Sequence, residues 1–160
     1  MRGRSGARGL LFLLKFAFKN ITVRSGSLTE IDLQNRLLAN PFILIDTQDY
    51  EIREKHLEKS IINEGEAEIV GLVQEILTNA KIEFKDIAVI TPYAAQRRHI
   101  ESKLPMEKDN PLVKCKTVDG FQGGESEAVI VSLVRSNSQA RVGFLDDERR
   151  LNVAISRARR

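Results

Sequence analysis

An α/β domain with a mainly parallel sheet flanked by helices is the fold class this sequence predicts, and three observations predict it. From about residue 30 onward, apolar runs of strand length alternate with amphipathic segments of helical length. The runs 42–45, 87–90 and 128–134 are apolar almost throughout, as strands covered on both faces are. The 160 residues, 42% hydrophobic and 29% charged, suffice for one compact core and exclude collagen-like, mucin-like and wholly disordered chains.

Each element has a local reason. The strand at 42–45 follows Pro41 and is closed by the polar run Asp46, Thr47, Gln48 and Asp49, after which the chain reads as a charged loop. Between Asn63 and about Ala80, Ala67, Val70, Val73, Ile76 and Leu77 recur at helical spacing. The acids Glu64, Glu66 and Glu68 crowd the first turns, where the helix dipole favours them. The strand at 87–90 stops at Thr91, Pro92 and Tyr93, and a helix follows over 94–104 with His99 and Glu101 on its exposed side. Residues 105–111 read as a loop and 113–118 as a short strand running into the glycine-bearing turn at 119–124. The run 128–134 reads as a central strand. Asp146, Asp147 and Glu148 open a last helix that ends in arginines, again the polarity the dipole favours.

The net charge of +3 is not spread evenly. Residues 1–29 hold six basic residues and no acid, so the remainder of the chain is net negative. This basic, apolar segment, with Leu10, Leu11, Phe12, Leu13 and Leu14 at its centre, reads as an extension outside the domain, disordered or weakly resembling a targeting leader. The domain itself is expected at 30–160. One cysteine and two histidines cannot make a disulfide or a zinc site, and no metal is expected; an intracellular compartment, cytoplasmic or nuclear, fits this composition. None of the ten glycines precedes a lysine, so the chain has no phosphate-cradling P-loop, and Asp46 reads as a strand-end residue rather than a magnesium ligand.

Three segments carry chemical promise, each just after a predicted strand or on the closing helix: 91–96, 117–125 and 149–159. In this order and spacing they resemble motifs IV, V and VI of the second, C-terminal RecA-like domain of superfamily 1B helicases, the branch that includes the nonsense-mediated-decay, senataxin-type and DNA-replication helicases. The resemblance extends over 40–160 and includes the spaced residues Ser60, Asn63, Glu66, Ala67 and Val70.

The resemblance implies a RecA-like fold and half of an ATP-driven motor moving 5′ to 3′ on single-stranded RNA or DNA. ATP and Mg2+ would be shared with a P-loop-bearing RecA-like domain, absent from this sequence, and without it this chain is not expected to hydrolyse ATP. By the same resemblance, Arg157 is the arginine finger, whose fixed charge and forked donors suit a transferring phosphoryl group. Gln122, Gly123, Gly124, Glu125 and Arg150 would face the nucleotide. Thr91, Pro92, Tyr93, Gln96 and Thr117 would contact the nucleic-acid backbone. On a continuous helix Arg150 and Arg157, seven residues apart, would share one face, with Leu151, Ala154, Ile155 and Ala158 turned to the core. Arg97 and Arg98 fit either an extended track or a solvated helix face, and His56, His99 and Cys115 carry no functional reading. Family members continue beyond the point matching Arg160, so the domain is expected to be shortened. A stand-alone binding module or an inactive fragment is the alternative reading.

Overall fold

The computed structural model describes residues 8–9, 12–15, 20–24, 35, 42–47, 52–107, 110–139 and 141–159. Asn40, Pro41, Gln48, Asp49 and Arg160 lie outside these residues, as does most of the segment 1–29.

In chain order the strands are β1 Arg8–Gly9, β2 Phe12–Lys15, β3 Asn20–Arg24, β4 Phe42–Asp46, β5 Lys55–Leu57 and β6 Ser60–Ile62, then β7 Ile87–Thr91, β8 Met106–Glu107, β9 Asn110–Pro111, β10 Lys114–Thr117, β11 Ala128–Ser132 and β12 Ser136–Asn137. The helices are α1 Glu64–Asn79, α2 Ala94–Glu101 and α3 Glu148–Ile155. The main sheet has six strands in the order β10-β7-β11-β2-β4-β3. Its pairs β10–β7, β7–β11 and β3–β4 are parallel, and only β2 runs against the others.

Two departures from the sequence-based expectation follow. The sequence places residues 1–29 outside the domain, whereas Phe12–Lys15 pairs with both β11 and β4, and Asn20–Arg24 with β4. An apolar run that reads like a leader in isolation is equally a strand once two neighbours offer unpaired backbone groups. The stretch read as a charged loop after β4 contains the antiparallel hairpin β5–β6.

Side chains alternate across β7 and β11, so one sheet builds two cores. Ile87, Val89, Ala128 and Ile130 pack with Val70, Val73 and Leu77 of α1 and Ile100 of α2. Ala88, Ile90, Val129 and Val131 pack on the other face with Phe121, Leu133, Ala154 and Ala158, which brings α3 beneath the sheet. All five residues of β7 and all five of β11 are buried, as expected for strands covered on both sides. α1 starts at Asn63, whose side chain accepts from the Glu66 N–H at 3.0 Å. α3 starts at Asp147, whose carboxylate accepts from the N–H groups of Arg149 and Arg150.

Candidate nucleotide and nucleic-acid interface

The parallel strands β10, β7 and β11 end on one edge of the sheet, where α/β folds place their ligands. Thr117 is the register partner of Thr91, and Val131 pairs with Ile90, so Thr117, Thr91 and Ser132 form a hydroxyl row across the strand ends. Thr117 is half-buried, and its hydroxyl accepts from the Gly120 N–H at 3.2 Å. Thr91 is fully buried, and its hydroxyl has no partner among the described residues. Thr91 therefore lies under the edge rather than on it. Pro92 and Tyr93 are half-buried beside it.

A buried polar cluster supports this edge, and it explains the spacing Ser60, Asn63, Glu66. The Ser60 hydroxyl accepts from the Ala95 N–H at 3.2 Å and so satisfies the first turn of α2, where Tyr93 supplies no side-chain cap. The backbone of Asn63 makes two bonds with the Gln96 amide: its N–H donates to Oε1 at 2.8 Å and its carbonyl accepts from Nε2 at 3.0 Å. Glu66 accepts from the Ser132 hydroxyl at 2.7 Å and from the Val134 N–H at 2.9 Å, both on Oε2. Ser60 in β6, Asn63 at the cap of α1 and Glu66 in its first turn thus tie this segment to α2 and to the end of β11.

The fully buried Glu66 is not the surface acid that its place in the first helical turn suggests. Burial pushes its carboxyl up to about 8, against the lowering effect of the bonds from Ser132 and Val134. Val134, which it holds, has φ +72, a left-handed conformation that a β-branched residue adopts only under constraint. The Asn63 Nδ2 bond to the Val134 carbonyl at 3.2 Å holds the other side of the same residue. Sequence patterning has no signal for this pair; the Asn63-to-Glu66 spacing suggests only a helix cap.

Gln96 is a correction. The sequence assigns it to the nucleic-acid track, but it is fully buried, with its amide oxygen on Asn63 and its amide nitrogen shared between Asn63 and Ser132 at 3.0 and 3.2 Å. Its role is to join α2 to α1 and β11. On the same helix Arg97 pairs with Glu101 one turn on, at 2.6 Å to Oε2, while Arg98 is exposed. His99 is half-buried rather than exposed, and His56 is exposed. Cys115 is buried, with its thiol donating to the Arg97 carbonyl at 3.7 Å.

Beyond Val134, Arg135 is buried, paired with Glu54 at 3.4 Å and donating from Nε to the Arg141 carbonyl at 3.1 Å. Gly143, at φ +56, lies against Tyr93: a Cβ there would sit 2.9 Å from the tyrosine hydroxyl and 3.4 Å from Arg135 Nε. Tyr93 is therefore packed toward Gly143 and Arg135.

On the other side of the strand ends, the glycine turn and the end of α3 are joined. Gly123 has φ +79, and a Cβ on Gly124 would press on the Phe121 carbonyl at 3.1 Å and on its ring at 3.3 Å, so both positions suit glycine. Gln122 and Glu125 are exposed. The Ser126 N–H donates to the Arg157 carbonyl at 3.2 Å, and the Arg159 N–H donates to the Ser126 carbonyl at 2.8 Å. Arg159 reaches Glu125 at 3.6 Å and Glu127 at 3.4 Å, and Arg150 reaches Asp119 at 3.6 Å and Asp147 at 3.5 Å.

Arg157 does not share a helical face with Arg150, because α3 ends at Ile155 and the chain turns to bridge Ser126 at Ala158. Its guanidinium folds back, with Nε donating to the Val153 carbonyl at 2.9 Å and Nη2 to the Ser156 hydroxyl at 3.0 Å. It is half-buried and pairs with no carboxylate among the described residues, which distinguishes it from Arg150 and Arg159. Its remaining N–H groups suit an external anion. Among the described residues no group of three or more His, Cys, Asp or Glu could hold a metal ion, and no helix is long and apolar enough to cross a membrane.

A three-layer α/β domain with its glycine turn and terminal arginines fastened together defines the class. The chain matches the AAA domain family over residues 18–160 and belongs to it, as the C-terminal RecA-like domain of superfamily 1B helicases. It is 44% identical over 124 residues to DNA polymerase alpha-associated DNA helicase A of Saccharomyces cerevisiae, covering 75% of this chain and 18% of that protein. To DNA-binding protein SMUBP-2 of Rattus norvegicus it is 44% identical over 122 residues, 75% of this chain and 12% of the relative. To the Regulator of nonsense transcripts 1 homolog of Neurospora crassa it is 38% identical over 105 residues, 62% of this chain and 10% of the relative. The chain thus spans less than a fifth of the length of these relatives.

Proposed function

We propose that this chain supplies the C-terminal half of an ATP-driven motor on single-stranded RNA or DNA, completed by a P-loop-bearing RecA-like domain. One observation carries the reading: the backbone bridge between Ser126 and the segment 157–159 sets Arg157, an arginine with no acid partner among the described residues, beside the end of the glycine turn at 119–124. The names of the relatives, a DNA helicase and a DNA-binding protein, support the substrate class.

In this reading ATP and Mg2+, carried mainly by the partner domain, supply the transferable phosphoryl group. Arg157 offers its unused N–H groups to the developing charge, and Arg150 approaches the nucleotide on leaving Asp119 and Asp147. Gln122, Gly123, Gly124 and Glu125 line the cleft, where glycine lets backbone amides come close and Glu125 accepts from a ribose hydroxyl. Thr117, Pro92 and Tyr93 face the strand, while Thr91 supports them from beneath.

The test is steady-state ATPase of this chain mixed with a P-loop-bearing helicase domain and oligonucleotide. Arg157→Ala is expected to lower kcat by roughly 10³-fold or more, and Arg157→Lys to restore little of it. Equal turnover with Arg157→Ala would overturn the motor reading. Oligonucleotide binding with no stimulation of turnover would identify a binding module instead.

A further inference from the structure

Beyond the motif residues, the same edge of the sheet carries a concavity of about 400 Å³ between the β5–β6 hairpin and the segment that follows β11. Arg53, Glu54, His56, Arg135, Asn137 and Arg141 line it, and among the described residues none that lines it is apolar. We propose that this concavity binds backbone phosphate of the single strand, extending the track past Tyr93; the inference rests on the nucleic-acid reading above.

The charge balance favours an anion. Glu54, the only acid in the lining among the described residues, has a side chain just 4% exposed and is consumed by its neighbours. It pairs with Arg135 at 3.4 Å and His56 at 3.1 Å, and accepts from the Ser136 N–H at 2.8 Å and Asn137 Nδ2 at 3.2 Å. Arg53 and Arg141 are exposed and pair with no carboxylate among the described residues. Among the described residues, two guanidinium groups without a carboxylate partner therefore line one polar hollow.

The loop is also built in advance. The Arg141 N–H donates to Asn137 Oδ1 at 3.0 Å, and its carbonyl accepts from Asn137 Nδ2 at 2.9 Å and Arg135 Nε at 3.1 Å. Binding then orders little more than two side chains. Position selects nucleic acid over other anions. Tyr93 and Arg135 both approach the Cα of Gly143, within 2.9 and 3.4 Å of where a Cβ would stand, so the hollow continues the edge that begins at Thr117. Strands lie about 4.8 Å apart, so crossing from β10 to β11 spans roughly 10 Å, a reach of one to two nucleotides. Among the described residues the lining offers no aromatic face for a base, which favours phosphate and sugar as the groups it recognises.

The test is fluorescence anisotropy with the full chain and a labelled oligothymidylate or oligouridylate of about 12 nucleotides, titrated over a series of salt concentrations. The double variant Arg53→Glu with Arg141→Glu is expected to weaken binding by about tenfold or more. The double variant Arg53→Ala with Arg141→Ala should reduce the slope of log affinity against log salt by about 1.4, two single-strand phosphate contacts. Arg53→Lys with Arg141→Lys should keep the slope. Unchanged affinity and slope in the first two variants, with Thr117→Glu still weakening binding, would overturn this proposal alone. A loss confined to binding of polyglutamate would also overturn it, by indicating an acidic peptide. Failure of the unaltered chain to bind any oligonucleotide at low salt would overturn the nucleic-acid reading with it.

Discussion

The buried carboxyl of Glu66 accepts the backbone N–H of Val134 at 2.9 Å, across from α1 to the end of β11, and Val134 is held there at φ +72. A residue that resists this conformation is kept in it by bonds on both its N–H and its carbonyl. The chain direction after Val134 sets where Arg135 meets Glu54. The helix that supports the sheet thus also shapes its ligand edge.

Burial, opposed by the bonds from Ser132 and Val134, raises the Glu66 carboxyl from 4.5 to about 8. Between these values the folded chain keeps a proton that the unfolded chain releases, so stability is expected to fall as pH rises from about 4.5 to 8. The slope from this group is at most about 1.4 kcal/mol per pH unit. Urea unfolding at pH 5 and pH 8 should show the decline, and Glu66→Gln should flatten it.

Gly143→Ala would force a Cβ to within 2.9 Å of the Tyr93 hydroxyl at a positive φ. We expect a loss of about 1–3 kcal/mol in urea unfolding, the scale of a strained non-glycine residue. In the Tyr93→Phe background the loss should be smaller, because the clashing oxygen is gone. A double-mutant cycle measures the difference.

Removing the Gln96 amide leaves the buried Asn63 N–H without its partner. Gln96→Leu is expected to cost about 1–3 kcal/mol, the penalty of an orphaned buried donor. If Gln96 instead contacted nucleic acid directly, thermal stability would be retained while oligonucleotide affinity fell.

Among the described residues the Arg157 guanidinium hydrogen-bonds only a helix-end carbonyl and a neighbouring hydroxyl. Arg157→Ala is therefore expected to lower stability by less than about 1 kcal/mol, the typical net worth of such bonds. Circular dichroism melting of the variant would then show that any loss of turnover is not a loss of fold.

Burial, with Glu101 adding to it, pushes the Cys115 thiol up to about 12. At pH 8 the folded chain should not react with a chromogenic disulfide reagent, and reaction should appear on unfolding in urea.

Much of this architecture is written in local patterns. The apolar run at 87–90 and most of the run at 128–134, apolar but for Ser132, became β7 and β11, and the period of Val70, Val73 and Leu77 became α1, because strand and helix repeats operate over a few residues. The glycines at 123 and 124 and the terminal arginines were legible as motifs for the same reason. Phe12–Lys15 was not legible, since three apolar residues and a lysine become a strand only between partners more than twenty residues away in sequence.

The polar core separates the two kinds of information most clearly. Glu66 and Gln96 have the types and positions of surface helix residues, and nothing in their neighbourhoods distinguishes them from Glu68 or Arg98. They are buried because α1, α2 and the end of β11 converge on Ser132 and Val134, whose hydroxyl and backbone groups need partners away from water. Arg157 shows the same division: its type and motif are local, while its backbone is held beside Glu125 by the pairing with Ser126. Composition and period determine which segments pair and pack; burial of particular polar groups follows from which segment ends meet, and that is a property of the folded chain alone.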